Sequence, residues 1–251
     1  MIMENQMAEF ERTENQWKSL YFLGGLTALL VVCASLLDIA ISILLGGDPA
    51  SIPQTAVDRF AQFQSNPWMG LYYLDLLNMT TAVIMIPAFF ALCAAHRQVN
   101  KVYSELVLIV FSIGTAVFIT NNTALPMLSL SSKYAIATSD AHRNLLAAAG
   151  EAMLARGAHA SPGVFLGFLL PIIASLLISL VMLNGGVFSK ITAYLGIAGS
   201  ALFIVYFVLA TFMPGTENIA MALATVGGLL TIAWLILFAI KLLKLRKGTN
   251  A

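Results

Sequence analysis

With 251 residues, 59% of them hydrophobic and only 10% charged, the chain cannot cover a water-soluble globule, in which about a quarter of the residues carry charge. A formal net charge of +1, spread along the chain, gives no basic patch and excludes nucleic acid as a partner. The two cysteines, Cys33 and Cys93, have neither metal nor disulfide spacing and read as small apolar packing residues.

The apolar residues come in runs of about 20, the length that crosses ~30 Å of hydrocarbon. They predict an all-α fold, a polytopic membrane helix bundle with six transmembrane helices at 19–45, 69–95, 105–129, 162–184, 191–213 and 219–243. Before them, Met1 to Lys18 carries Glu4, Glu9, Glu11 and Glu14. It reads as a polar cytoplasmic segment ahead of an uncleaved anchor rather than a secretory signal, which opens basic and turns apolar. Gly46-Gly47-Asp48-Pro49, His96-Arg97-Gln98, Asn184-Gly185-Gly186 and Pro214-Gly215 punctuate the runs. A single domain at 19–243, with a basic cytoplasmic tail at 244–251, follows.

Six spans put nine of the thirteen Lys and Arg residues on the side of the termini, and four, Arg59, Lys133, Arg143 and Arg156, on the other. Positive residues accumulate on the cytoplasmic side. Both termini are therefore expected in the cytoplasm of a cell whose inner (plasma) membrane the chain spans. The Lys241 to Lys247 segment reads as a basic stop at the inner interface.

Two outer loops are long, 46–68 and 131–161. The first is mixed in character and ends at Trp68, a suitable interfacial anchor. The second predicts an extra amphipathic helix between spans three and four, from Asp140 to Arg156, with an acid near its start, an arginine near its end and Gly157 beyond. Its predicted apolar face is Ala141, Leu145, Ala148, Ala149 and Ala152. Gly163 with Gly167, Gly196 with Ser200, and Gly227-Gly228 suit close helix approach, within one chain or between chains, so the oligomeric state stays open. Pro87 and Pro171 permit kinks, and Pro126 reads as a bend near the end of span three.

Polar groups inside the spans carry the functional information, because an ionisable side chain in hydrocarbon costs a few kcal/mol or more unless it faces protein or water. Asp38 in span one and Asp75 in span two are each seven residues from the outer boundary, roughly 10 Å deep at about 1.5 Å per residue. On a continuous helix Tyr72, Asp75 and Asn78 share one face. Span three adds Asn121 and Asn122, with Thr115, Asn122 and Ser129 on a common face, and the turn before span six adds Glu217. The inner halves hold almost no ionisable groups. An outer-half polar pocket is predicted, although buried Asp and Asn also serve simply to bond helices together.

Catalytic signatures are missing: His96, His142 and His159 form no metal-binding helix pair, there is no nucleophile elbow and no phosphate-binding glycine loop. A zinc set would require His142, His159 and an outer acid. No cofactor and no metal are predicted.

Asn121-Asn122, Leu125-Pro126, Leu128-Ser129-Leu130-Ser131-Ser132-Lys133-Tyr134-Ala135, Ala137-Thr138, His142-Arg143 and Leu146-Ala147-Ala148-Ala149-Gly150-Glu151-Ala152 resemble the bacterial multi-span family called domain of unknown function 4386. The resemblance implies six spans in a prokaryotic inner membrane and brings no agreed activity, so no catalytic residue carries over. Its tyrosine and arginine, Tyr134 and Arg143, fall beside the outer mouth of the predicted pocket.

Three readings follow. The first is a protein that binds or conducts a small amphipathic molecule or lipid in the outer cavity, lined by Asp38, Tyr72, Asp75, Asn78, Asn121, Asn122, Tyr134, Arg143 and Glu217, with the 140–156 helix as a lid. The second is an intramembrane enzyme using Asp38 and Asp75 as an acid/base pair. The third is a noncatalytic membrane scaffold or regulatory subunit. Beyond the lipid bilayer, the first alone needs a ligand.

Overall fold

The computed structural model describes residues 2–44, 53–158 and 161–247, with the side chains of the first helix described from Asn15 onward. The Gly46-Gly47-Asp48-Pro49 turn, His159 and the last four residues of the tail lie outside the described residues. All the described elements are helices: α1 (Ile2–Leu44), α2 (Ala56–Ser65), α3 (Pro67–Tyr72), α4 (Leu76–His96), α5 (Lys101–Asn121), α6 (Ala124–Ile136), α7 (Asp140–Gly157), α8 (Pro162–Gly185), α9 (Lys190–Phe212) and α10 (Glu217–Arg246).

Six stretches are long and apolar enough to cross a membrane, and the chain is a multi-pass membrane protein. Its spanning helices form a closed ring in which each packs against its successor: α1 on α4, α4 on α5, α5 on α8, α8 on α9, α9 on α10, and α10 back on α1. The centre is filled by Phe89, stacked on Phe111 with ring centroids 3.8 Å apart, and by Trp234 edge-on to Phe238 at 4.8 Å. The outside of the ring is equally apolar, with Leu30, Ile109 and Leu229 exposed. A helix apolar all round is at home in lipid.

Glycines set how closely the ring closes. A β-carbon on Gly167 would stand 2.8 Å from the Phe118 Cα, and one on Gly25 would stand 2.7 Å from the Leu243 Cγ. At the end that holds both termini, Arg97 lies 3.5 Å over the Trp17 ring and Arg246 lies 4.1 Å over Phe22. These cation–π contacts fasten basic side chains beside aromatic rings where the helices leave the apolar zone.

The opposite end carries a cap of α2, α3, α6 and α7. The segment 46–68, expected to be a mixed loop, contains a capped helix. Thr55 accepts from the Asp58 N–H at its start, and Ala56, Phe60 and Phe63 recur on one side at helical spacing. They build a second core with Leu71, Ala124 and Met127. Cross-links complete it: Glu151 on α7 accepts from the Ala56 N–H at 2.7 Å, satisfying one of the open donors of the α2 N-terminus, and Ser131 on α6 donates to the Phe60 carbonyl at 3.0 Å.

Helix α7 forms where expected, with Ser139 as N-cap, but it buries a different face. Leu146 and Gly150 pack inward while Leu145 is exposed. Gly150 decides this register, because a β-carbon there would stand 2.6 Å from Ala56 Cβ.

Two spans are shorter than the hydropathy indicates. The second is interrupted at Tyr73 to Asp75, which separates α3 from α4, and the third ends at Asn121, with α6 a separate helix after Asn122-Thr123. Tyr72, Asp75 and Asn78 therefore do not share a continuous helical face, and neither do Thr115, Asn122 and Ser129. Asp75 stands at the start of α4 rather than two turns inside a span. Pro126 occupies the first turn of α6, where its missing N–H costs nothing, and does not bend the end of a span. At the other extreme, α1 runs back through the segment read as a polar N-terminal stretch.

Candidate functional site

The two helix interruptions face each other, and Asn122 joins them. When a helix ends, its last carbonyls lose their partners, a costly state near hydrocarbon. The Asn122 side-chain amide supplies the missing donor to Leu74 O, at 3.0 Å, and adds a second, at 3.2 Å, to Asp75 O, which already accepts from the Met79 N–H at 2.9 Å. Its Oδ1 accepts from the Ala124 N–H at 3.1 Å, so the same residue also caps the start of α6.

Asp75 adopts φ 62° and ψ 27°, and among the described residues it is the only non-glycine with positive φ. Asp and Asn tolerate this left-handed conformation better than other side chains. Its Oδ1 accepts from Asn78 Nδ2 at 3.1 Å. Asp75→Asn is therefore expected to leave the thermal unfolding midpoint in detergent almost unchanged, whereas Asp75→Ala, which forfeits both the tolerant side chain and the Asn78 bond, should lose about 1–2 kcal/mol. An Asn variant as damaged as the Ala variant would show that the negative charge, not the backbone conformation, sets the requirement.

Beneath the cap these elements enclose a cavity of about 460 Å³, lined by Arg59, Tyr73, Asp75, Asn121, Asn122 and Thr123, with Phe118, Leu154 and Val164 as apolar wall. Asn121 is fixed from two sides. Its amide donates to Val117 O at 2.8 Å, and its Oδ1 accepts from Arg156 Nε at 3.3 Å. Arg156 also donates to Thr120 O at 2.6 Å, a cation at the C-terminal end of α5. Gly163 leaves room for Asn121, since any β-carbon there would collide with its carboxamide.

Arg59 is the residue that the sequence did not single out. It is only 8% exposed. Its Nη1 donates to Gln62 at 3.2 Å, its guanidinium lies 5.9 Å from the Tyr73 ring centroid, and its Nε–H has no partner among the described residues. Burial pushes its pKa down from the ordinary arginine value, with Tyr73 acting the other way. A signal was present: Arg59 sits in the same stripe as Ala56, Phe60 and Phe63, where a solvated arginine has no reason to be.

The other predicted residues lie apart from this cavity. Asp38 accepts from the Tyr72 hydroxyl at 2.9 Å. Burial, then that hydrogen bond, then the charges of Asp38 and Asp75 push the Tyr72 pKa up, so the phenol keeps its proton and remains a donor. Tyr134 packs on Phe60 with centroids 5.2 Å apart, and Arg143 donates to Ala137 O at 3.1 Å; both brace the cap. Glu217 accepts from the Gly215 N–H at 2.9 Å in its own exposed turn. Asp75 lines the cavity and Asp38 does not. Among the described residues no three His, Cys, Asp or Glu side chains converge as a metal site.

A second cavity, of about 270 Å³, lies within the ring and is lined by Asn78, Ala82, Met85, Phe89, Phe111 and Trp234, among others; Phe118 belongs to both cavities.

No curated protein and no solved structure matches the chain. The model of the family described as Domain of unknown function (DUF4386) matches residues 20–239, a stretch that takes in four of the six spans whole, most of the first and the last, and every element of the cap, and the chain belongs to that family.

Proposed function

We propose that this protein binds a small amphipathic molecule or lipid, without catalysis, in the polar cavity beneath the cap. The observation that carries the reading is the cavity itself. At about 460 Å³ it falls within the range of small-molecule sites, roughly 300–1,000 Å³, and it combines an apolar wall with a few fixed polar groups, as such sites do. Its carboxamides are held by the backbone or by Arg156, and its arginine is buried without an acidic partner among the described residues. With nine of thirteen basic residues at the other end of the bundle, the cap faces the cell exterior, both termini face the cytoplasm, and the membrane is a bacterial inner membrane.

The test is native mass spectrometry on protein purified in a mild nonionic detergent. Wild type is expected to retain a bound amphiphile that Leu154→Trp, which fills the cavity, no longer carries. Asp38→Asn, altered outside the cavity, should carry the wild-type complement. Equal occupancy of wild type and Leu154→Trp overturns the reading.

A further inference from the structure

The chemistry of the two cavities specifies the ligand more narrowly, on the footing that the cap cavity is a binding site. Taking a guanidinium out of water costs several kcal/mol unless an anion or a full set of acceptors offsets it. Among the described residues Arg59 has Gln62 and the Tyr73 ring face as neighbours, no ion pair, and an Nε–H with no acceptor. A structural arginine is normally bonded along its whole fork, because that fork matches an oxyanion. Here it lines a cavity instead.

The other polar walls agree with this sign. Asn121 lines the same space with one amide N–H besides the one given to Val117 O, Asn122 is committed to backbone groups, and Asp75, the one carboxylate there, is engaged by Asn78. It can still accept from a neutral hydroxyl of a head group.

The inner cavity has the opposite character. Its Thr81 and Ser175 hydroxyls donate to backbone carbonyls of their own helices, at 3.0 and 2.9 Å. Ser35, Asn78, Thr115 and Thr231 also line it, and the Thr115 hydroxyl and the Trp234 indole N–H have no partner among the described residues, but Met85, Phe89, Phe111, Phe168 and Trp234 make most of its surface apolar. Phe118 forms part of both linings, and its ring is packed on Phe168 with centroids 4.6 Å apart. One aromatic side chain thus stands between a cationic compartment under the cap and an apolar compartment inside the ring.

We propose that the two cavities are one site for a single anionic amphiphile, its phosphate or carboxylate head on Arg59 and the second amide N–H of Asn121, and its hydrocarbon chain laid past Phe118 into the ring. A hydroxyl next to the head bonds to Asp75. A free inorganic anion would use the first compartment only and leave the second irrelevant.

The experiment measures binding to the full chain in nonionic detergent for 1-oleoyl lysophosphatidic acid, 1-monooleoylglycerol, 1-hexanoyl lysophosphatidic acid and inorganic phosphate. The two oleoyl probes share chain and glycerol and differ in the phosphate. Wild type is expected to favour the anionic one by about tenfold or more, the usual worth of a charge-assisted bond. Arg59→Gln should erase that preference. Ala82→Phe, which fills the inner cavity far from Arg59, should weaken the oleoyl anion by about tenfold while leaving the hexanoyl anion unchanged. Thermal unfolding of each variant separates loss of binding from loss of fold.

Equal affinity for the two oleoyl probes in a wild type that binds both overturns the anionic assignment and leaves the cavity reading standing. Phosphate that competes at the same concentration as the lysolipid overturns the amphiphile half, as does an oleoyl anion indifferent to Ala82→Phe. Saturable binding of none of the probes, together with equal occupancy of wild type and Leu154→Trp, removes the cavity reading itself.

Discussion

Gly167→Leu is expected to destabilise the bundle by roughly 3 kcal/mol or more, at the upper end of overpacking costs. Helix association in lipid has no large hydrophobic term, since an acyl chain is as apolar as a leucine, and depends instead on close packing. The seam between α5 and α8 depends on it most visibly. A β-carbon on Gly167 would stand 2.8, 2.9 and 3.0 Å from the Phe118 Cα, Cβ and N. Two of those atoms are backbone, so no rotamer change relieves the clash and the helices must separate. The same seam brings Phe118 and Asn121 to the cavity wall, so ligand occupancy should fall with stability. Thermal unfolding in one detergent checks the first and native mass spectrometry the second. Gly228→Ala is the control, because its β-carbon would meet only Phe203 Cζ at 3.9 Å and should change stability by less than about 0.5 kcal/mol. A Gly167→Leu protein as stable as wild type would mean that the α5–α8 contact is not held at this distance.

Phe60→Ala is expected to cost about 3–5 kcal/mol, the range for a buried aromatic truncation, but from the cap rather than from the ring. Phe60 is 1% exposed and central to the second core. The helices around it carry Asp58, Gln62, Gln64, Glu151 and Arg143 on their other faces, the pattern of a structure half in water, where the full transfer term applies. Hydrogen exchange should therefore rise in α2 and α7 while α8 to α10 keep their protection. Because α2 also carries Arg59, the guanidinium loses its fixed position together with the fold of the cap. Uniform loss of protection throughout the chain would show that cap and ring unfold as one unit.

The six spans and the helix at 140–157 were legible in the sequence because each rests on a long or capped pattern. Spans two and three were read as too long because hydropathy registers composition and not hydrogen bonding. Tyr73-Leu74-Asp75 lies inside an otherwise apolar run and contains neither glycine nor proline. What accommodates the break there is Asn122, 48 residues beyond Leu74, whose amide satisfies the freed Leu74 carbonyl, and no local window contains that information. Pro126 was a real signal read with the wrong polarity, a helix start mistaken for a bend.

The polar residues expected at one pocket divide in the structure between one cavity wall and several separate contacts. Asn121, Asn122 and Asp75 do meet at one cavity, while the depth argument that paired Asp38 with Asp75 relied on continuous helices. Arg59 was overlooked because a lone arginine in a segment expected to be a loop looks solvated. Only the buried stripe on either side of it shows otherwise, and that stripe becomes meaningful once 56–65 is seen to be a helix. The α7 face was misassigned for a related reason: alanines outnumber the residues that pack, and Gly150, which permits the contact, contributes nothing to an apolar pattern.

The closed ring also bears on how the protein is made. Successive helices can pair as soon as they leave the ribosome, but α10 packs against α1, the partners most distant in synthesis, so the barrel of helices stays open on one side until the last span has been inserted. Until then the faces of α1 that will receive Leu243 and Ala239 at Gly25 remain exposed to lipid. The cap matures on a different schedule: α2 waits for α6 and α7 before Phe60 has a core to enter. The cavity beneath the cap is thus lined before the ring that supports it has closed, and nascent chains that stall before the last span would carry a formed cap over an unsealed bundle.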